Sequence, residues 1–351
     1  MRHMSVIVGF CCLVLSSISA LGSPAASIQA ALLAPGKHHL NVLIQAADQT
    51  TEIPVTVVTG SQPGPTLLVL AGIHGSEYAP ILASHRFGVQ LDAEGIRGSI
   101  LIVHIANPPA FRGRSIYTSP ADGLNLNRLF PGKASGSLSQ KIAFFLTNDI
   151  YPLSDAVLDV HSGDANEDLK PAWTGFYATA GSATVIEQSR ALAFAFGFKH
   201  VVPFQWTFSE PKDAIWAGSA AVALGIPAID VESGGMGVPE TEAVEAILEG
   251  FHRTLAHLGM TDQTFSPPKG QIIIYDRESV KAPQDGSWVS LKEAGKAVKS
   301  GELLGILTDW HGRTVFEARS PKDGILLLRL SAPPVREGET LVIVASTESV
   351  R

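Results

Sequence analysis

The sequence predicts an α/β fold, with a mixed and mainly parallel sheet flanked by helices and a small C-terminal all-β domain. Three observations carry the prediction. Continuous apolar runs, TLLVLAGI from Thr66, SILIVHIA from Ser99, AVLDVH from Ala156 and PAIDVE from Pro227, read as strands covered on both faces. Segments of helical character separate them, such as QKIAFFLTNDI, ATVIEQSRALAFAFG and ETEAVEAILEGFHRTLAHLG, and strands alternating with helices imply layered α/β architecture. After SPPKG at 266–270 the pattern turns to short strands separated by Gly-containing turns.

Taken in order, the chain opens on Arg2 and His3 followed by the apolar run VIVGFCCLVL and then SSISALG. This predicts a signal peptide over residues 1–22, cleaved near Gly22, because the run is too short to span a bilayer. A secreted or periplasmic protein is expected, with no membrane association after cleavage. Both cysteines, Cys11 and Cys12, fall inside the signal, so any metal site must use nitrogen and oxygen donors. Residues 28–60 alternate in short runs and read as antiparallel strands at a sheet edge. A catalytic α/β domain is expected over 28–265 and a β domain over 270–346.

The β segment repeats itself. KAPQDGSWV (281–289) is echoed by RSPKDGILL (319–327), and AVKSGELLGI (297–306) by PVREGETLVI (334–343). Each Asp-Gly or x-Gly-Glu reads as a turn, which predicts a small pseudo-symmetric barrel or sandwich. The pattern resembles the barrel-sandwich hybrid of biotinyl and lipoyl domains. It lacks their carrier lysine, so no cofactor attachment is assigned.

The 351 residues carry a net charge of −7, are 17% charged and show no Lys/Arg cluster, which argues against a nucleic-acid partner. The chemistry-bearing residues gather instead at strand ends. His74-Gly75-Ser76-Glu77 follows the strand 67–73, and two ligand-type side chains three apart converge there if the chain turns into a helix. His161 ends AVLDVH, 84 residues beyond Glu77, with Asp159 placed to orient its imidazole. Glu232 ends PAIDVE beside Ser233-Gly234-Gly235, a fitting place for a general base. In open α/β sheets the ligand crevice lies beyond the carboxyl ends of the strands, where all four residues fall. A loop from Asn107 to Gly132 supplies further candidates: Arg128 with Asn127 to grip a substrate carboxylate, and Arg114 to face an oxyanion. In the structural alternative, Asn125 and Asn127 tie down the loop and the arginines are solvated.

Together, His-Gly-x-Glu, Asn-Pro-x-Ala-Phe, Asp-Gly-x-Asn-x-Asn-Arg-x-Phe-Pro-Gly, Asp-x-His-Ser-Gly and Glu-x-Gly-Gly resemble the succinylglutamate desuccinylase/aspartoacylase family, a branch of the zinc-carboxypeptidase fold. The resemblance covers roughly residues 40–345. It implies one Zn²⁺ per chain on His74, Glu77 and His161, Glu232 as catalytic base, and Asn127 with Arg128 as the substrate-carboxylate pair. The oxyanion arginine transfers less directly. In the family's aspartoacylase branch it directly precedes a tyrosine, whereas Ile116 precedes Tyr117 here and the nearest arginines are Arg114 and Arg112. The expected activity is zinc-dependent hydrolysis of an amide in a small N-acyl amino acid or related carboxylate. The alternative is a metallocarboxypeptidase acting on short or cell-wall peptides. A non-catalytic zinc or ligand-binding protein has no need of Glu232. Trp173, Trp206 and Trp216 are candidate pocket walls or, equally, packing residues.

Overall fold

The strands form where the sequence is apolar or alternating: β1 (Gly36–Ala46), β2 (Gln49–Thr59), β3 (Gln62–Ala71), β4 (Arg97–Val103), β5 (Ala156–His161), β6 (Glu167–Leu169), β7 (Trp173–Tyr177), β8 (His200–Phe204) and β9 (Ala228–Glu232). The C-terminal segment adds β10 (Ile272–Lys281), β11 (Gly286–Ser290), β12 (Ala297–Val298), β13 (Leu303–Thr308), β14 (Thr314–Arg319), β15 (Gly324–Leu330), β16 (Pro334–Val335) and β17 (Thr340–Ser349). The helices are α1 (Ala26–Leu32), α2 (Tyr78–Gln90), α3 (Pro108–Gly113), α4 (Leu138–Phe145), α5 (Ala183–Phe196), α6 (Ala217–Ala223) and α7 (Thr241–His257). The computed structural model describes residues 25–47, 49–266 and 268–349, and the expected signal peptide lies outside them. Among the described residues no helix is long and apolar enough to cross a membrane.

One large mixed sheet runs β1-β2-β4-β3-β5-β9-β7-β8-β10-β17-β15-β12, with β6 attached to β15. Its centre, β4-β3-β5-β9, is parallel, and the antiparallel β1–β2 hairpin forms one edge. The central strands read as unbroken apolar runs because both faces are covered. Leu68, Leu70, Leu101, Val103 and Val157 pack into one layer with Ile142 of α4 and Ala220 of α6. Their neighbours Leu67, Val69, Ile100, Ile102 and Leu158 face the other layer, against Phe87 of α2, Leu192 of α5 and Ile247 of α7. Burying each such side chain contributes about 1.5–3 kcal/mol before entropy is counted. The start of the N-terminal region departs from the expectation of strands from residue 28. Residues 26–32 form α1, whose Ile28 and Ala31 are three apart and bury one helical face.

The C-terminal repeat has a structural counterpart in which each copy completes the other. β12 of the first copy pairs with β15 of the second, and β16 of the second with β11 of the first. The turns match as well. Asp285 accepts a hydrogen bond from the Glu337 backbone and Asp323 from that of Ser300, both at 2.8 Å. A separate sheet, β14-β13-β11-β16, encloses a core that includes Trp288, Leu304 and Leu341. β10 joins the large sheet through a two-residue parallel pairing, Ile272 with His200 and Ile273 with Val201, while its other edge pairs antiparallel with β17 from Ile272 to Lys281. The β segment therefore abuts the catalytic strands along one continuous sheet.

Candidate active site

Three adjacent parallel strands deliver the central residues. β3 ends at Ala71, and a short loop carries His74 to Glu77, which directly precedes α2. Glycine is required at position 75, because a Cβ there would overlap the carbonyl of Ala110 in α3. β5 ends on His161 and β9 on Glu232, directly opposite each other in the ladder. His74 Nδ1 lies 2.6 Å from one Glu77 oxygen and His161 Nδ1 lies 2.9 Å from the other. One donor atom from each of His74, Glu77 and His161 falls within 4.8 Å of the rest, a set that could hold a metal ion.

The far nitrogens explain why the Nδ1 atoms point inward. His161 Nε2 lies 3.0 Å from Asp159, whose other carboxylate oxygen accepts from the Gly218 backbone at 3.0 Å. His74 Nε2 lies 3.1 Å from Asn125 Oδ1, which also accepts from the Asn127 backbone at 2.9 Å. An acceptor at each Nε2 keeps the proton there and leaves both Nδ1 lone pairs facing Glu77. The sequence pointed to Asp159. The part played by Asn125 was hidden, because nothing local joins position 125 to position 74.

The charges are strongly coupled. Burial pushes the Glu77 carboxyl up, but the two imidazoles and their hydrogen bonds outweigh it and hold it at about 2. Burial pushes His161 down, yet Asp159 and Glu77 drive it well above the usual imidazole value; His74 rises likewise through Glu77. A pattern that draws protons onto these rings also draws a cation. Glu232 moves the opposite way from Glu77: burial raises it well above the carboxylate range, the acids Glu77, Glu167 and Asp230 add to that, and His161 opposes. Its Oε2 is shielded from solvent with no hydrogen-bond partner among the described residues. A shielded carboxyl whose proton affinity is raised, set beside a metal-type donor set, is placed for proton exchange with a group bound there.

These residues open into a cavity of about 440 Å³. Asn127 and Arg128 line it. Asn127 Oδ1 accepts from the Ala217 backbone at 2.8 Å, leaving its amide N–H groups, and the exposed Arg128 guanidinium sits 5.9 Å from the Trp216 ring centre. Trp173, Trp206 and Trp216 all line the cavity, the last two edge to face at 4.4 Å.

Arg114 is not brought to the cavity, and the expectation that it faces an oxyanion there is corrected. It caps α3 in the left-handed conformation (φ 51°) and is exposed, and with Arg112 it lines a separate depression beside Tyr78, Leu82 and Phe111. The chain reversal after α3 turns Tyr117 inward instead. Tyr117 stands edge-on to His74, donates its hydroxyl to Glu167 at 2.9 Å, and donates its backbone N–H to the Asp164 carboxylate at 2.7 Å. Tyr117, Glu167, Asp230 and Arg277 are cavity residues that no sequence pattern singled out.

Comparison with known proteins follows the same lines. The profile of the succinylglutamate desuccinylase/aspartoacylase catalytic domain matches residues 63–258. The N-alpha-acetyl-L-2,4-diaminobutyric acid deacetylase of Halomonas elongata is 33% identical over 302 residues, covering 84% of this chain and 85% of its own. The solved succinylglutamate desuccinylase/aspartoacylase of Rhodobacter sphaeroides superposes with a TM-score of 0.79 at 26% identity, covering 90% of this chain and 97% of that one. The product-bound ectoine utilization protein EutE (DoeB) of Ruegeria pomeroyi gives 0.81 at 26% identity, covering 90% and 96%. With the converging donors, the shielded glutamate opposite them and these matches together, the protein belongs to the succinylglutamate desuccinylase/aspartoacylase family and is an amide-bond hydrolase.

Proposed function

We propose that the protein is a zinc-dependent deacylase of a small N-acyl amino acid, exported through an N-terminal signal peptide. The observation that carries the reading is the shielded, unpartnered Glu232 opposite His161, in the same cavity as the donor set. Two imidazole nitrogens and one carboxylate suit zinc and leave a coordination position open. A zinc ion held by His74, Glu77 and His161 would acidify water and polarise the amide carbonyl. Glu232 accepts the proton of the attacking water and returns it to the nitrogen of the leaving amine. Arg128, with the Asn127 amide, holds the substrate carboxylate, and the tryptophans exclude water around the acyl group. Support for export is the charged, apolar and small-residue pattern of residues 1–22.

Leu327, Leu328 and Ile343 of the C-terminal β segment close one side of the cavity, which favours a small acylated amino acid over a peptide. The division into a catalytic unit at 28–265 and a β unit at 270–346 is supported by the apolar core each has of its own, with a smaller cluster of Leu169, Trp173, Val202, Ile274, Leu327 and Leu328 where they meet. The test is Glu232→Gln in zinc-loaded protein. Turnover of N-acetyl amino acids should fall by about 10²–10⁴-fold while one zinc per chain is retained. Normal turnover in that variant would end the mechanism. Faster hydrolysis by the wild-type protein of short peptides with a free C-terminus would favour the carboxypeptidase alternative.

A further inference from the structure

The proton transfers through Glu232 make no use of Tyr117, although it lines the cavity with its ring edge-on to His74, 6.3 Å between ring centres at 83°. Its backbone is strained. A φ of 55° places it in the left-handed region, which bulky residues rarely adopt. It is the middle residue of a three-residue turn closed by the Thr118 N–H on the Ile116 carbonyl at 2.6 Å, and positive-φ turns of this kind are rare. Such residues persist where their surroundings over-determine them, and they cluster at active sites. Here one oxygen of Asp164 takes the Tyr117 backbone N–H at 2.7 Å, and the other takes the hydroxyl of Ser76, which lies between His74 and Glu77 in the chain. The turn is thereby fastened to the loop that carries the donor set.

The hydroxyl is placed as firmly as the backbone. It donates to Glu167 at 2.9 Å, and Glu167 is itself held: its other carboxylate oxygen accepts from the Asp164 backbone at 3.0 Å, and its carbonyl from the Met236 backbone at 2.8 Å. Only the hydroxyl hydrogen is free to turn about the C–O bond. A neutral amide carbonyl competes poorly with the Glu167 carboxylate for that hydrogen, whereas an oxyanion competes on equal terms. A donor won over only as charge develops lowers the barrier without tightening substrate binding. The arginines are placed elsewhere. Arg112 and Arg114 lie in the separate depression beside α3, Arg128 sits by Trp216, and Arg277 stacks on Trp173 and Phe204, 5.6 and 4.9 Å from their ring centres.

We infer that Tyr117 is a catalytic residue whose hydroxyl donates to the scissile carbonyl oxygen as that oxygen becomes an anion, the part that the family resemblance gives to an arginine. As water adds to the amide carbon, the new C–O bond forms and the carbonyl π pair moves onto oxygen, where the Tyr117 O–H meets it. Glu232 takes the proton of the water. When the C–N bond breaks, the pair on oxygen re-forms the carbonyl and Glu232 gives its proton to the nitrogen. Tyr117 keeps its own proton throughout and turns back to Glu167. The inference rests on the proposed reaction at this site and adds to it a residue in which this chain departs from the aspartoacylase branch.

The experiment compares full-length, zinc-loaded wild type with Tyr117→Phe, which keeps the ring against His74 and removes only the hydroxyl. Turnover is measured on N-acetyl-L-alanine, N-acetyl-L-glutamate, N-acetyl-L-lysine and the peptide trialanine. Calorimetry measures binding of the product amine and of the phosphonamidate of each substrate, in which tetrahedral phosphorus replaces the scissile carbonyl carbon. Tyr117→Phe should lose about 10²–10³-fold in kcat with KM nearly unchanged. Its phosphonamidate affinity should fall at least about 10-fold, while product affinity and zinc content hold. Unchanged kcat or unchanged phosphonamidate affinity would overturn the assignment. So would a parallel loss of product affinity or of zinc, which marks a brace for the His74 loop. A wild type that cleaves only trialanine rejects the deacylase reading, and Tyr117 is then tested on that amide. If the wild type cleaves none of the four, the deacylase reading fails and the phosphonamidates decide for Tyr117: equal affinity in the two proteins, or none in either, overturns it.

Discussion

His104 and His161 are both buried, and each sits at the C-terminal end of a strand in the parallel centre of the sheet, His104 just beyond β4 and His161 closing β5. Their neighbours differ. His104 lies between hydroxyls, with Nε2 2.8 Å from Thr56 Oγ1 and Nδ1 3.2 Å from Ser84 Oγ. Burial, reinforced by the nearby His85 and His39, lowers it to about 4, so it is a neutral packing residue. His161 lies between carboxylates, Asp159 on one side and Glu77 on the other, which drive it upward against the same burial. One pair of partners completes the hydrogen bonding of a core imidazole; the other pair concentrates negative charge around it and creates demand for a cation. Position at a strand end is therefore insufficient to make a histidine a ligand, and the charge of what surrounds it decides.

The strongest way to break this contrast is to remove the histidines one at a time. His161→Ala should abolish zinc retention and reduce turnover to background, read by metal analysis of the purified protein. His104→Leu should keep both zinc and turnover, and full zinc in His161→Ala would refute the ligand assignment. A smaller effect isolates the partners. Asp159→Asn, and separately Asn125→Ala, should weaken zinc affinity or activity by about 10- to 100-fold, measured by competition with a chelator, because each frees an imidazole to rotate or change tautomer. If neither changes affinity, the orienting contacts are incidental.

His104→Leu should cost about 1–3 kcal/mol of stability in denaturant unfolding, since it strips a partner from buried hydroxyls. The smallest effect is in its pH dependence. The unfolded imidazole takes a proton near 6.5, whereas folded His104 takes one only near 4. The unfolded state therefore binds more protons between those values. The contribution is complete above about pH 6.5 and is lost as pH falls toward 4, at up to about 1.4 kcal/mol per pH unit. His104→Leu should flatten that slope, and an unchanged slope would place the titration elsewhere.

Much of this was legible along the chain. Unbroken apolar runs mark strands buried on both faces, so β3, β4, β5 and β9 could be read from residue type alone. The residues that close those strands, His74 with Glu77, His161 and Glu232, follow because the C-terminal ends of parallel strands face one crevice. Even the C-terminal repeat was visible, since a turn needs its Asp-Gly or x-Gly-Glu wherever it recurs. Contacts made across the sequence were not legible. Asn125 orients His74 over a separation of 51 residues, and Arg277 reaches Trp173 from a strand that carries no pattern of its own. Arg114 and Tyr117 show the limit within a single loop: residue types made the arginine the better candidate, but left-handed conformations at both Arg114 and Tyr117 set the tyrosine inward and left the arginine in solvent. Periodicity and composition determine which segments pack and where strand ends fall, because those follow from local geometry and burial. Which side chain enters the cavity depends on the direction of a loop and the register of distant strands, and only the folded chain sets these.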